Sequence, residues 1–210
     1  MDIIDTGISA YLSELVRADD DPVLLEMEEL ADRKGFPIVG RLCGRFLEIM
    51  ARGIGARRVF EMGSGFGYSA YWFSRAVGSA GEIHCTDTDP DNRDQAMDFL
   101  GRARLDGPIE YHVASALDAF AETEGDFDVV YCDIDKDGYP DAWRAARGRV
   151  PLGGLFMIDN MLWSGRVTEE DKDATTQSID ETNRMIYEDE SYRAFTLPIR
   201  DGVVCALRIS

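Results

Sequence analysis

The sequence predicts an α/β fold: a seven-stranded, mostly parallel sheet with helices on both faces, an antiparallel C-terminal β-hairpin, and N-terminal helices in front of it. Three observations predict it. From residue 53 onward, short apolar runs alternate with amphipathic helical stretches, the pattern of a parallel sheet covered on both sides. The first apolar run ends in a glycine-rich turn. The last two runs flank Asp201-Gly202, a hairpin signal.

One domain is expected over residues 1–210, divided into a helical segment, 1–52, and the alternating core, 53–210. In the first helix Ile8, Leu12, Leu15 and Val16 fall on one face. Asp19-Asp20-Asp21-Pro22 breaks it, with Asp21 the expected N-cap and Pro22 the first helical position of the next helix. Leu24, Leu25, Met27, Glu28 and Leu30 continue that second helix, and Lys34-Gly35 stops it. A third helix is expected over 40–52, with Leu42, Phe46, Leu47 and Met50 inward. Strands are then expected at 59–62, 83–86, 109–113, 127–132 and 155–158, and helices at 68–77, 90–104, 115–121, 139–147 and 175–187. The runs 192–198 and 203–209 form the hairpin, which makes one edge strand antiparallel.

Charge narrows the function classes. The chain carries 22 basic against 40 acidic residues, a net charge of −18, and Lys34, Lys136 and Lys172 are its only lysines. Nucleic acid and anionic membrane surfaces are therefore not expected partners, since both attract positive charge. No apolar run approaches the roughly 18 residues of a membrane span, and the acidic start lacks the basic region of a secretory signal. Cys43, Cys85, Cys132 and Cys205 form no C-x-x-C pair, as expected of a protein in a reducing cytoplasm. His84 and His112 each lie in a strand-like run and read as structural core residues.

The turn after the first strand reads Glu61-Met62-Gly63-Ser64-Gly65-Phe66-Gly67. Glycines there let the backbone turn tightly and approach a ligand, and the helix that follows offers oriented N–H groups. A dinucleotide fingerprint, G-x-G-x-x-G, would place its third glycine where Tyr68 stands. The carboxylate of Glu61 suits a ligand with an ammonium group. About 20 residues on, Asp87 ends the second strand, where an acid can hydrogen-bond ribose hydroxyls. An ammonium group and a ribose in one ligand describe S-adenosylmethionine (SAM).

The fourth strand runs into Asp133-Ile134-Asp135-Lys136-Asp137-Gly138-Tyr139, and the fifth into Asp159-Asn160. In an open α/β sheet, neighbouring strands end on the same ligand crevice, so Asp133, Asp159 and Asn160 can converge. Two carboxylates and an amide oxygen are a hard-oxygen donor set, suited to Mg²⁺, Mn²⁺ or Ca²⁺. A divalent cation there disfavours the ammonium form of Lys136, which makes that residue a candidate general base. An acidic loop that merely caps the next helix, with Lys136 as a neutralising charge, reads equally well from these residues alone.

Together these residues resemble the catechol and caffeoyl-CoA O-methyltransferase family of class I SAM-dependent enzymes, over about residues 37–209. The similarity rests on D-x-D-K-D-x-Y at Asp133 to Tyr139, D-N-x-L-W-x-G at Asp159 to Gly165, and L-P-I-x-D-G at Leu197 to Gly202. It implies a Rossmann-like class I methyltransferase fold and a divalent-metal-dependent transfer of methyl from SAM to a hydroxyl oxygen. It implies that Asp133, Asp159 and Asn160 bind the metal, with Mg²⁺ the first expectation, and that Lys136 takes the proton from the acceptor. Val39, Glu61, Gly63, Ser64, Ser69, Asp87, Ala116 and Asp135 match positions that contact SAM. Trp163 and Ser164 would line the acceptor pocket. The resemblance also implies a homodimer. The plant enzymes carry Asn where this chain has Ser164, and an acidic chain with three lysines is a poor host for the phosphates of a CoA ester. A small catechol-like or phenolic acceptor is therefore expected. A sugar or antibiotic hydroxyl, and an NAD-binding Rossmann oxidoreductase, are the alternatives.

Overall fold

The computed structural model describes residues 6–16 and 21–210. The first five residues, and Asp19 and Asp20 of the expected helix break, lie outside the described residues. Helix α1 (Thr6–Leu15) packs against α3. Its expected inward face is only partly covered, with Ile8 and Leu15 both more than half exposed. Helix α2 (Pro22–Lys34) starts as the sequence predicts: Asp21 Oδ1 accepts from Val23 N at 2.8 Å, and Pro22 occupies the first turn. Gly35, at φ 62°, closes it in the left-handed conformation.

Helix α3 (Gly40–Gly53) is rotated from the expected face. Cys43, Gly44, Leu47, Glu48 and Ala51 are buried, while Leu42, Phe46 and Met50 are only half-buried. The cause is a close approach at Gly44, where a Cβ would sit 2.2 Å from the Trp72 indole nitrogen. That contact turns the 43–47–51 stripe onto α4. The buried Glu48 carboxylate is compensated by Arg45 at 2.9 Å, Arg52 at 3.0 Å and Arg75 at 3.6 Å.

The alternating core follows as β1 (Arg58–Met62), α4 (Tyr68–Val77), β2 (Glu82–Asp87), α5 (Pro90–Arg102), β3 (Ile109–Val113), α6 (Ala116–Glu122), β4 (Val129–Cys132), α7 (Tyr139–Ala146), β5 (Leu155–Ile158), α8 (Ala174–Glu188), β6 (Tyr192–Leu197) and β7 (Val203–Arg208). Short 3₁₀ turns at Lys136–Gly138 and Trp163–Thr168 were not foreseen. The sheet has seven strands in the order β3-β2-β1-β4-β5-β7-β6. Strands β1 to β5 are parallel, and β7 is antiparallel to both β5 and β6.

The reversed strand is therefore not at the edge. The hairpin folds back into the sheet, β7 docks beside β5, and β6 becomes the edge. The turn is a five-residue loop, 198–202, one residue longer than the expected 199–202, since Leu197 pairs with Val203. Within it Arg200 (φ 50°) and Gly202 (φ 86°) are both left-handed.

Strand residues alternate between two cores. Val59, Ile83, Val129 and Leu155 pack with α2 to α5 around Tyr71, Trp72 and Leu47. Phe60, Val130, Phe156 and Ile158 pack with α6 to α8 around Phe120, Trp143 and Ile179. Both layers end at the carboxyl ends of the parallel strands, where the loops open a cavity. Among the described residues, no helix is long and apolar enough to cross a membrane.

Candidate active site

The cavity, of about 840 Å³, lies over the carboxyl ends of β1, β2, β3, β4 and β5, with the segment before α3 and the β6–β7 loop on its rim. This is where open α/β sheets bind ligands. Its floor is the glycine turn. Gly63 has φ 86°, and a Cβ there would lie 2.4 Å from the Asp133 carbonyl oxygen, so only glycine fits between β1 and β4. Thr86 holds the turn from β2: Gly63 N donates to Thr86 Oγ1 at 3.0 Å, and Ser64 N donates to the Thr86 carbonyl at 2.7 Å. In return Thr86 N donates to Ser64 Oγ at 3.0 Å.

Glu61 does not line the cavity; it is fully buried behind the turn. Burial pushes its carboxyl up to about 7. Its Oε1 has no hydrogen-bond partner among the described residues. A buried carboxylate oxygen without a partner is costly unless a ligand or water completes it. The glycine cradle and the half-buried Asp87 at the end of β2 fit a ligand that carries a ribose, and the orphaned Glu61 oxygen lies just behind that cradle. Val39, Ser64, Ser69, Ala116 and Asp135 line the same cavity.

The polar end of the cavity is built by β4 and β5. Asp159 is fully buried, and its carboxyl is pushed up to about 6, first by burial and then by the charge of Asp133. Asp159 Oδ1 accepts from Asn160 N at 2.8 Å, and Arg200 Nη1 donates to Oδ2 at 3.4 Å. Tyr139, buried under the site, donates its hydroxyl to the Asp159 carbonyl at 2.9 Å and so fixes the strand end. Asn160 itself has φ 60°, a conformation asparagine tolerates better than most residues.

Asp133 is half-buried and accepts from Lys136 Nζ at 2.9 Å. Lys136 also donates to the Ile134 carbonyl at 3.1 Å, and its ammonium lies 4.9 Å from the Tyr139 ring centre. The donor set of Asp133, Asp159 and Asn160 fits a hard divalent cation. Its buried carboxylate has only a long contact to Arg200 as counter-charge, and all its donors are oxygens.

Of the residues expected from sequence, all but Glu61 and Ser164 line this cavity. Trp163 stands on the wall at φ 46°, whereas Ser164 is exposed in the left-handed turn, and its N–H donates to Asp201 Oδ1. Sequence reasoning missed Arg200, which it placed in an anonymous hairpin turn. It also missed Phe36, whose ring fills the space beside Gly65 and packs on Phe66 at 5.0 Å. The only sequence signal for Arg200 was a large cation in a tight turn.

Comparison with known proteins agrees with the geometry. The family model described as O-methyltransferase matches residues 14–209. A catechol O-methyltransferase from Niastella koreensis is 29% identical over 170 residues, covering 78% of this chain and 76% of that protein. The crystal structure of an O-methyltransferase from Bacillus cereus in complex with SAH superposes with a TM-score of 0.87, at 26% identity and 97% coverage of each chain. That of TomG from Streptomyces achromogenes, an O-methyltransferase involved in tomaymycin synthesis and solved with SAM, gives 0.88 at 25% identity, covering 97% of this chain and 96% of that one.

Proposed function

Because the chain belongs to the O-methyltransferase family and is a SAM-dependent enzyme of that family, we propose that it methylates one hydroxyl of a small catechol-like acceptor with the help of a divalent cation. Family membership sets aside the NAD-dependent oxidoreductase. The observation that carries the reading is the placement of Asp159, fully buried, with Asp133, Asn160 and Lys136 on the wall of the cavity whose floor is the glycine turn.

In this proposal SAM lies over Gly63, with its ribose at Asp87 and its amino-acid end near Ser69 and the buried Glu61. Asp133, Asp159 and Asn160 hold the cation, Mg²⁺ first among the candidates. When bound, the cation supplies positive charge that favours ionisation of an adjacent hydroxyl near neutral pH. Lys136 accepts the acceptor's proton at Nζ; its stem is fixed by the turn at Lys136–Gly138, and its head already sits beside Asp133. Trp163 walls the acceptor end, and the protein's main task is to hold acceptor oxygen and methyl carbon in line.

Charge favours a small acceptor over a CoA ester. Asp135, Asp137 and Asp141 all line the cavity and would repel phosphates. The exposed Ile8, Tyr11 and Leu15 of α1, with Ile49 of α3, offer an apolar face for a second copy, in keeping with the expected homodimer. The free Cys43, Cys85, Cys132 and Cys205 suit a reducing cytoplasm.

The substrate class is tested by offering SAM with Mg²⁺ to catechols, their monohydroxy analogues and non-aromatic vicinal diols, with products identified by mass. Methylation confined to the catechols supports the reading. Methylation of the non-aromatic diols instead would replace the acceptor class with a sugar or antibiotic hydroxyl.

A further inference from the structure

We propose that His84, His112 and Glu110 form a second metal site, for a borderline transition-metal ion such as Zn²⁺, on the β2–β3 edge of the sheet and separate from the cavity. Parallel pairing sets His84 opposite Glu110 and Thr86 opposite His112, so all of these side chains stand on the α6 face. His84 Nδ1 lies 3.0 Å from His112 Nε2 and 3.6 Å from Glu110 Oε2, and His112 Nε2 lies 3.7 Å from Glu110 Oε1. A tetrahedral Zn²⁺ with bonds of about 2.0–2.1 Å needs donor atoms roughly 3.3 Å apart. The two nitrogens are close to that spacing, and each lies near it from a different oxygen of the Glu110 carboxylate, so one ion can take both nitrogens and a single Glu110 oxygen after a small turn of that exposed side chain. Among the described residues, this trio is the one group of three or more His, Cys, Asp or Glu side chains whose donor atoms come this close.

The surroundings prepare the histidines to act as ligands. Glu82, held by Arg58 through two contacts of 3.1 Å, accepts from His84 Nε2. That bond keeps the proton on Nε2 and leaves the Nδ1 lone pair directed at the other two donors, the carboxylate–histidine–metal arrangement of many zinc sites. Arg58 stands on the Nε2 side of the ring, 3.5 Å from that nitrogen, and so away from the proposed ion. The rings of Phe60, Phe120 and Phe127 close the inner side, with Phe60 stacked on both histidines at 5.8 and 6.5 Å. Burial also holds His112 below its usual range, which keeps it neutral and able to give a lone pair. The exposed Glu110 leaves an entry path and a fourth position for water.

Without an ion, a hydrogen bond from His112 to His84 Nδ1 satisfies the pair, and moving the His112 proton to its other nitrogen frees both lone pairs without changing net charge. Nitrogen donors separate this site from the oxygen donors of the cavity, since imidazole prefers Zn²⁺, Co²⁺ or Ni²⁺ to Mg²⁺. An ion here would tie the edge strand β3, which leads directly into Ala114 to Leu117 on the cavity wall.

The test is calorimetric titration of the whole protein with Zn²⁺ in excess Mg²⁺, together with the visible spectrum of the Co²⁺-loaded protein. The expected result is one Zn²⁺ per chain and the strong visible bands of tetrahedral Co²⁺. Asp159→Asn should retain both, whereas His112→Ala and Glu110→Gln should weaken Zn²⁺ by about tenfold or more. Both of those residues are partly exposed, and unchanged SAM affinity in the variants certifies their fold. No Zn²⁺ uptake in excess Mg²⁺, or uptake unchanged in His112→Ala and Glu110→Gln, would overturn the proposal.

Discussion

Arg200 Nη1 stands 3.4 Å from Asp159 Oδ2, so a loop from the far end of the chain supplies the counter-charge for a carboxylate buried at the end of β5. The contact joins a left-handed arginine, φ 50°, to a side chain with no exposure of its own. It has a direct consequence for cation binding, because a divalent ion on Asp159 must compete with the guanidinium. Arg200→Gly should therefore tighten Mg²⁺ or Mn²⁺ binding by about fivefold, equivalent to roughly 1 kcal/mol. Glycine also adopts the turn conformation without strain. Titration calorimetry reads the affinity directly, and weaker binding in the variant would show that Arg200 helps to assemble the site instead.

Asp159→Ala is expected to abolish methyl transfer while leaving SAM affinity within about twofold, since Asp159 lies at the polar end of the cavity and the glycine turn lies on its floor. Asp87→Ala should show the opposite pattern, a clear loss of SAM affinity. Equal losses of SAM affinity in the two variants would contradict this division of labour.

Lys136→Ala should lower kcat by about 10²-fold or more, with a smaller change in KM, as the loss of a general base does. The residue lies 2.9 Å from Asp133, so its removal also frees that carboxylate. Steady-state kinetics with saturating Mg²⁺ separates the two effects. An unchanged kcat at neutral pH would remove Lys136 from proton transfer.

Glu61 gives a pH signature in the free enzyme. Its carboxyl is raised from an ordinary value of 4.5 to about 7 by burial. A raised carboxyl binds its proton more tightly when folded. Its contribution is therefore fully present below about 4.5 and is lost as pH rises through about 7. The full effect is roughly 3 kcal/mol. Urea midpoints between pH 5 and 8 should fall with rising pH in the parent more steeply than in Glu61→Gln. Parallel curves would mean that Glu61 titrates normally.

Gly63→Ala should destabilise the fold by roughly 1–3 kcal/mol or more, because it forces a Cβ to within 2.4 Å of the Asp133 carbonyl at φ 86°. The same shift would pull β1 from β4 beneath the ligand, so SAM affinity should fall with stability. Chemical denaturation and SAM titration check both.

Most of the sheet was legible in the sequence because buried parallel strands read as short apolar runs. Helix α4 was legible because the glycine turn of Gly63 to Gly67 leads directly into it. Gly63, Asp87, Asp133, Lys136, Asp159 and Asn160 were legible because motifs at strand ends are local in sequence and topology then brings them together, whereas Val39, Ser69, Ala116 and Trp163 were expected only through the family resemblance. What escaped was set by long-range packing. The face of α3 depends on how closely Gly44 meets Trp72, which no helical period encodes. The placement of β7 inside the sheet depends on which neighbour the hairpin docks against, since either strand could have occupied the edge. Arg200 acquires its position only after that docking carries the β6–β7 loop to Asp159. His84 and His112 read as core residues, and only strand register sets them 3.0 Å apart.

The most direct measurement is transfer of labelled methyl from SAM to catechol by the purified enzyme, with Mg²⁺ and with EDTA. The account predicts methylated product with Mg²⁺, none with EDTA, and full recovery when Mg²⁺ is restored. Product formed at the same rate in EDTA would contradict the cation-binding role of Asp133, Asp159 and Asn160.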